Sequence, residues 1–204
     1  MGTPLSRVYA KFLGQIDDKE WLLVEDEVIE DLLLDYLESA TVDFTQCRKD
    51  LSFTPPKRSE VRYKIDGQTS QIVFSPESEN VIINKITGVS TEKEYEYTLL
   101  ADGVISFDFP LEEDIVINYT IDGEFVEDLE TVEIRILAHA MVLHYLKPKI
   151  MTQDSLKQFV SDKDFTKLSG ANMLLRLIGL EKSQQKQLEV LQSKYAFKDF
   201  GGWN

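Results

Sequence analysis

The sequence predicts an α+β protein: a helical core built from both ends of the chain, with an antiparallel β module inserted between them. Three observations predict this. Apolar residues recur at helical spacing in the first quarter and again after Asp128. Between roughly Tyr63 and Asp122 the apolar period becomes two. Adjacent prolines, Pro55 and Pro56, stand at the first change of period, where they end helices and stiffen the chain. The expected parts are 1–54 (N-terminal helices), 55–127 (β module), 128–196 (a central buried helix and a long C-terminal helix that complete the core with 1–54) and 197–204 (a flexible docking tail).

The first helix is expected to begin at Thr3, a good N-cap, with Pro4 at the first helical position. Leu5, Val8, Tyr9, Phe12, Leu13 and Ile16 then follow helical spacing. A second helix is expected from Glu25 to Phe44, with Val28, Ile29, Leu32, Leu33, Tyr36, Leu37 and Ala40 as its stripe. Glu25, Asp26, Glu27, Glu30 and Asp31 crowd its start, where the helix dipole favours anions. In the β module, Val81-Ile82-Ile83 begins one strand, Tyr95, Tyr97 and Leu99 alternate on another, and Ile115, Ile117, Tyr119 and Ile121 share a face of a third. Asp66-Gly67, Asp102-Gly103 and Asp122-Gly123 are turn signals.

Asp128 is a candidate N-cap for the central helix, Leu129 to Leu146, which is apolar on nearly every side and so expected to be buried. Pro148 is expected to end it. A short helix is expected near Ser155–Val160 and the last long helix over Phe165–Lys194, bent near Gly179, with Leu168, Ala171, Leu174, Leu175 and Ile178 packing on its first half.

Composition narrows the function classes. The formal net charge of -14 disfavours binding to phosphate backbones and anionic lipid. Two readings of the acidity stay open: solubility, or charge-matched docking and a channel wall that does not hold DNA. Lys57-Arg58 and Lys147 with Lys149 are too small for a nucleic-acid patch. The single cysteine, Cys47, permits no disulfide within the chain and fits a reducing cytoplasm; it is expected to be a structural thiol. No segment reaches the roughly 18 apolar residues that span a bilayer. Met1 to Lys11 lacks the pattern of a signal peptide.

No catalytic constellation stands out, and no enzyme activity, cofactor or metal is expected. His139 and His144 project about 140° apart round one helix, whereas shared helical zinc ligands sit four residues apart on one face. There is no phosphate-cradling glycine loop and no nucleophile elbow. Carboxylates are abundant, but nothing nominates a glycosidase-type pair. Glu112-Glu113-Asp114 reads as a loop or an edge guard. The candidate partner-binding residues lie at the C-terminus: Tyr195, the Phe197–Lys198 pair, Phe200 and Trp203. Trp is a favoured interface anchor, and a frayed end is the competing reading of the Gly201-Gly202-Trp203-Asn204 tail.

Several segments resemble the head-to-tail connector (neck or adaptor) proteins of tailed bacteriophages. Gly123-Glu124-Phe125 with the run from Leu129 to Ala138 resembles the start of their buried helix, and Met141 to Pro148 resembles its end. Asp164 to Asn172 is similar to the opening of their last helix, and Thr3-Pro4-Leu5-Ser6 and Cys47-Arg48-Lys49-Asp50-Leu51 are in keeping with phage structural proteins. The long β module departs from the smallest, mainly helical connectors. The resemblance implies a virion protein made in the bacterial cytoplasm and assembled as a homo-oligomeric, commonly dodecameric, ring. It would dock on the portal protein and a neighbouring neck or tail protein, with DNA passing through unbound and no membrane contact. Three other classes stay open: a baseplate wedge or tail-completion subunit, an acidic regulatory or anti-defence binder, and a carboxylate-based hydrolase.

Overall fold

The structure is a computed structural model and describes residues 2–16, 21, 24–65, 69–76, 81–100, 103–159 and 170–198. It is an α+β mixture of helices and antiparallel sheets, as the periodicities predict. The chain divides into two compact units: Met1–Ser52 with Phe125–Asn204, and Phe53–Glu124.

The first unit is helical. α1 (Leu5–Leu13) and α2 (Asp26–Asp43) come from the N-terminal part, and α3 (Thr131–Phe159) and α4 (Gly170–Phe197) from the C-terminal part. α3 is the centre, in contact with α1, α2 and α4. Ile136, Leu137, Ala138, Ala140 and Met141 on it are fully buried, as expected of a helix apolar all round. An aromatic cluster joins the elements: the Phe12, Trp21 and Tyr36 rings each lie 5.9 to 6.3 Å from the Tyr145 ring. Such edge-to-face pairs add about 0.5–1.5 kcal/mol each beyond their burial.

The second unit is a small β sandwich. β1 (Phe53–Thr54) pairs with β8 (Glu124–Phe125). β2 (Lys57–Tyr63), β7 (Ile115–Ile121) and β4 (Val81–Gly88) form one antiparallel sheet in the order β2-β7-β4. β3 (Thr69–Val73), β6 (Val104–Leu111) and β5 (Tyr97–Leu99) form the other, in the order β3-β6-β5. Period-two patterning aims Ile86, Ile115 and Ile117 inward from the first sheet against Ile72, Ile105 and Phe107 of the second. Gly103 has a φ of 72°, a left-handed conformation suited to glycine, and its carbonyl accepts from Phe74 N–H at 2.9 Å.

Several expectations need correction. Thr3 does not cap α1; Pro4 holds that position. The Thr3 hydroxyl instead donates to Asp128 Oδ1 at 3.0 Å and accepts from Leu129 N–H at 2.6 Å, so it ties the N-terminal chain to the segment just before α3. Asp128 is likewise not the N-cap, because α3 begins at Thr131. Val28 is 46% exposed and off the buried stripe of α2, and Leu175 is 69% exposed on α4. Asp122-Gly123 does close the strand before it, since β7 ends at Ile121. The turn at Asp66-Gly67, Leu168 and Val160 lie outside the described residues.

The largest departure is at Pro148, which α3 passes through; the segment expected as a separate short helix belongs to α3 as far as Phe159. Pro148 is on the exposed side, where a carbonyl lacking its N–H donor is least costly. The turns on either side are tied together. Lys149 Nζ lies over the Tyr145 ring, 4.9 Å from its centroid, and the Thr152 hydroxyl donates back to the Pro148 carbonyl at 2.9 Å. Replacing Pro148 with Ala restores the missing helical hydrogen bond. It is expected to stabilise the helical unit by about 1–3 kcal/mol, read as a higher thermal midpoint. A lower midpoint contradicts an α3 continuous through this position.

Candidate functional site

The most built polar site of the helical unit gathers three stretches of chain around one carboxylate. Glu133 lies in the first turn of α3 and is 1% exposed. Three residues before it, Glu130 flanks the helix, and its N–H donates to Glu133 Oε2 at 2.5 Å. This is the returning arm of a capping box. After α2 the chain bends at the buried Phe44 and brings Cys47, Arg48 and Lys49 to the same place. Lys49 Nζ sits 3.0 Å from Glu133 Oε2 and donates to the Asp128 carbonyl at 2.5 Å. From the end of α4, the Tyr195 hydroxyl donates to Glu133 Oε1 at 2.7 Å.

Tyr195 is itself tightly held. Its hydroxyl accepts from Arg48 N–H at 3.3 Å and lies 4.0 Å from Cys47 Sγ. Its ring meets Phe44 edge-on, with centroids 5.3 Å apart. The Arg48 guanidinium donates to the Ala196 carbonyl at 3.2 Å, and Lys198 Nζ reaches Glu130 Oε2 at 2.6 Å. Both oxygens of Glu133 therefore hold donors, so the cluster is built as a joint between α2, α3 and α4. Beside it, an open groove of about 640 Å³ is lined by Arg7, Glu130, Lys194, Tyr195 and Lys198 among others.

The surroundings shift three groups in one direction. Burial, then the bond to Glu133, pushes the Tyr195 hydroxyl well above its ordinary value of 10.0. Burial pushes the Cys47 thiol up from 9.0, which makes it a poorer nucleophile. For Lys49, burial acts downward, but the bond and charge of Glu133 with the charges of Glu130 and Asp128 outweigh it and raise the ammonium above 10.5.

Of the residues expected to bind a partner, Tyr195 is only 6% exposed and bonded internally, so it anchors α4 and does not present a docking surface. Phe197 is 68% exposed, and Lys198 is exposed while paired with Glu130. Phe200 and Trp203 lie outside the described residues. The histidines take separate partners: His139 Nδ1 lies 2.7 Å from Gln184 Oε1, and His144 Nε2 lies 2.8 Å from Asp43 Oδ2. Among the described residues no group of three His, Cys, Asp or Glu side chains is placed to hold a metal ion. No helix among them is long and apolar enough to cross a membrane. Glu133 and Lys49 were not singled out from the sequence. The available signal was a lone acid on the buried stripe of α3, at capping-box spacing from Glu130.

In the β unit, Glu113 organises the loop after β4. Its carboxylate accepts from Ser90 N–H at 2.7 Å, Thr91 N–H at 3.1 Å, the Thr91 hydroxyl, and the Tyr95 hydroxyl at 3.0 Å. The Thr91 hydroxyl and the Ser90 N–H lead in holding this carboxyl below its ordinary range. A Cβ at Gly88 would collide with the Glu113 carboxylate. The expected loop or edge guard is thus a loop clamp.

No protein-family model matches the chain, and no curated protein matches it in sequence.

Two predictions follow from the joint. Tyr195→Phe is expected to cost about 1–3 kcal/mol by removing a buried donor. Glu133→Gln is expected to cost more, about 2–4 kcal/mol, since it leaves Lys49 without its counter-charge; this is below the full cost of a broken buried pair because Lys49 reaches solvent. Denaturant midpoints of the two variants check the order, and equal midpoints contradict it. The second prediction concerns pH. Tyr195, Cys47 and Lys49 all have folded values above their unfolded ones, so their stabilisation is present below the unfolded values and is lost as pH rises through the folded ones. Stability should fall as pH rises past 9.0 and more steeply past 10.0. Tyr195→Phe should make this alkaline limb shallower in thermal melts at stepped pH.

Proposed function

We propose that this protein is a structural subunit of a tailed-phage particle, a head-to-tail connector that forms a ring beneath the portal. The observation that carries the proposal is on α4. Its buried stripe runs through Leu174, Gln184, Leu188 and Tyr195, yet Leu180, Val190 and Phe197 stay exposed at 45, 45 and 68%. Leu175, on another side, is 69% exposed. Spaced along the length of α4, these apolar side chains are points that a packed copy or partner would cover in this reading. The resemblance of Leu129–Ala138, Met141–Pro148 and Asp164–Asn172 to connector proteins supports the same reading.

In this reading the helical unit forms the contacts between copies, and the segment from Phe197 to Asn204 docks on the portal with Trp203 as an anchor. The charge of -14 suits a channel wall along which DNA passes without being held. The protein acts by assembly and catalyses no reaction. The test is the mass of the purified protein, measured by light scattering alone and with portal rings from the same source. Ring-sized complexes are expected, at least in the presence of portal. Removing residues 199–204 should abolish portal docking with the fold intact. A persistent monomer that ignores portal contradicts the proposal.

A further inference from the structure

The two edges of the β sandwich carry opposite charge. β2 is the outer strand of the sheet β2-β7-β4 among the described residues. Its exposed positions include Lys57, Arg58 and Arg62, with Lys64 just beyond and Glu60 as the lone acid. The Tyr63 hydroxyl donates to the Val73 carbonyl at 3.2 Å, which puts β2 and β3 on the same side of the sandwich. On the opposite side, the chain after β4 runs back along that strand. Gly88 N–H donates to the Lys93 carbonyl and Tyr95 N–H to the Ile86 carbonyl, each at 2.9 Å. This segment then enters β5, the outer strand of the second sheet. Between it and β6 lies a groove of about 460 Å³. Glu94, Glu96, Asp108 and Glu112 line it with a single cation, Lys93, and with the aromatic rings of Tyr95 and Phe109. Phe109 is 81% exposed.

From this arrangement we infer that the β unit of one copy docks its basic β2 edge into the acidic groove of the next copy, a head-to-tail contact between identical chains. Charge selects this pairing over the alternatives. Two β2 edges repel each other, as do two acidic grooves, so symmetric pairing is disfavoured on both sides. The remaining combination, edge to groove, is heterologous. Repeated, it closes into a ring or grows as a filament. The net charge of -14 opposes association at long range, but at physiological salt that repulsion is screened beyond about 8 Å, whereas pairs in contact are screened much less. The exposed Phe109 in the groove's lining supplies an apolar contact, and the carboxylates of the same lining set the register. The inference rests on the ring reading above and names the surface that the β unit contributes to it.

Cross-linking between copies tests it. Isotope-labelled and unlabelled full-length protein are mixed, alone and with portal rings, and treated with a water-soluble carbodiimide, which joins a carboxylate to an amine in contact with it. The expected products are mixed-isotope peptides linking Lys57 or Lys64 to Glu94, Glu96 or Glu112. Glu94→Lys with Glu96→Lys, or Lys57→Glu with Arg62→Glu, should each lower their yield by about tenfold or more. Carrying all four substitutions in one chain exchanges the charges of the two edges and should restore the mixed-isotope links, with amine and carboxylate reversed. A general loss of folding cannot produce that rescue. Mixed-isotope links confined to the helical unit, their absence at the highest soluble concentration, or failure of the four-fold variant to recover overturns the contact. Rings on the portal with links elsewhere overturn the β-edge contact alone. β-edge links in a chain that ignores portal leave the contact standing and overturn the connector reading.

Discussion

The helical unit depends on the ion pair and hydrogen bonds that close on Glu133. A carboxylate that is 1% exposed is costly to bury unless its oxygens are met by donors, and here they are met by Lys49, Tyr195 and the Glu130 N–H. Each donor comes from a different stretch of chain. The joint thus fixes where the chain leaves α2, where α3 begins and where α4 ends. Thr3 adds a further tie to the same place, because its hydroxyl bonds Asp128 and Leu129 while its carbonyl accepts from Phe125 N–H at 2.9 Å. Apolar burial along α3 supplies most of the driving force, and the polar joint selects one arrangement of the ends.

The β unit solves a similar problem with a different device. Its core is a plain two-sheet packing of isoleucines and phenylalanines, while the irregular chain after β4 is held by the Glu113 carboxylate. That clamp places Lys93 to Glu96 beside β4, so the acidic groove is a product of the fold and not of a mobile loop. Clamp and groove use neighbouring acids for opposite ends: Glu113 faces the loop and is saturated by donors, whereas Glu112 lines the groove.

Much of the architecture was legible in the sequence. The stripe from Leu33 through Leu37 to Ala40 and the alternation of Ile115 and Ile117 each carry the period of their element, and the apolar run from Ile136 to Leu146 is too long for a typical strand. Pro148 was misread because the rule that proline ends a helix is local, and contacts through Lys149 and Thr152 override it. Thr3 was misread for a related reason: a hydroxyl suited to capping its own helix can be drawn to a distant backbone N–H, here that of Leu129. The joint was largely illegible. Glu133 looks like a first-turn acid, Lys49 like a surface lysine and Tyr195 like a partner-binding aromatic at the end of the apolar spacing of α4, and only tertiary structure brings them together. The edge charges of the sandwich were visible as Lys57-Arg58 and as scattered acids, but their placement on opposite sides required the strand order.

A ring in the neck of a phage particle, as proposed for this chain, would draw contacts between copies from both the helical and the β unit. The most direct measurement is electron cryomicroscopy of purified particles assembled with a tagged copy of the chain. The expected result is a ring of tags between portal and tail, on the axis of the DNA channel. Tags at the baseplate or on the capsid faces, or particles that lack the chain altogether, would contradict it.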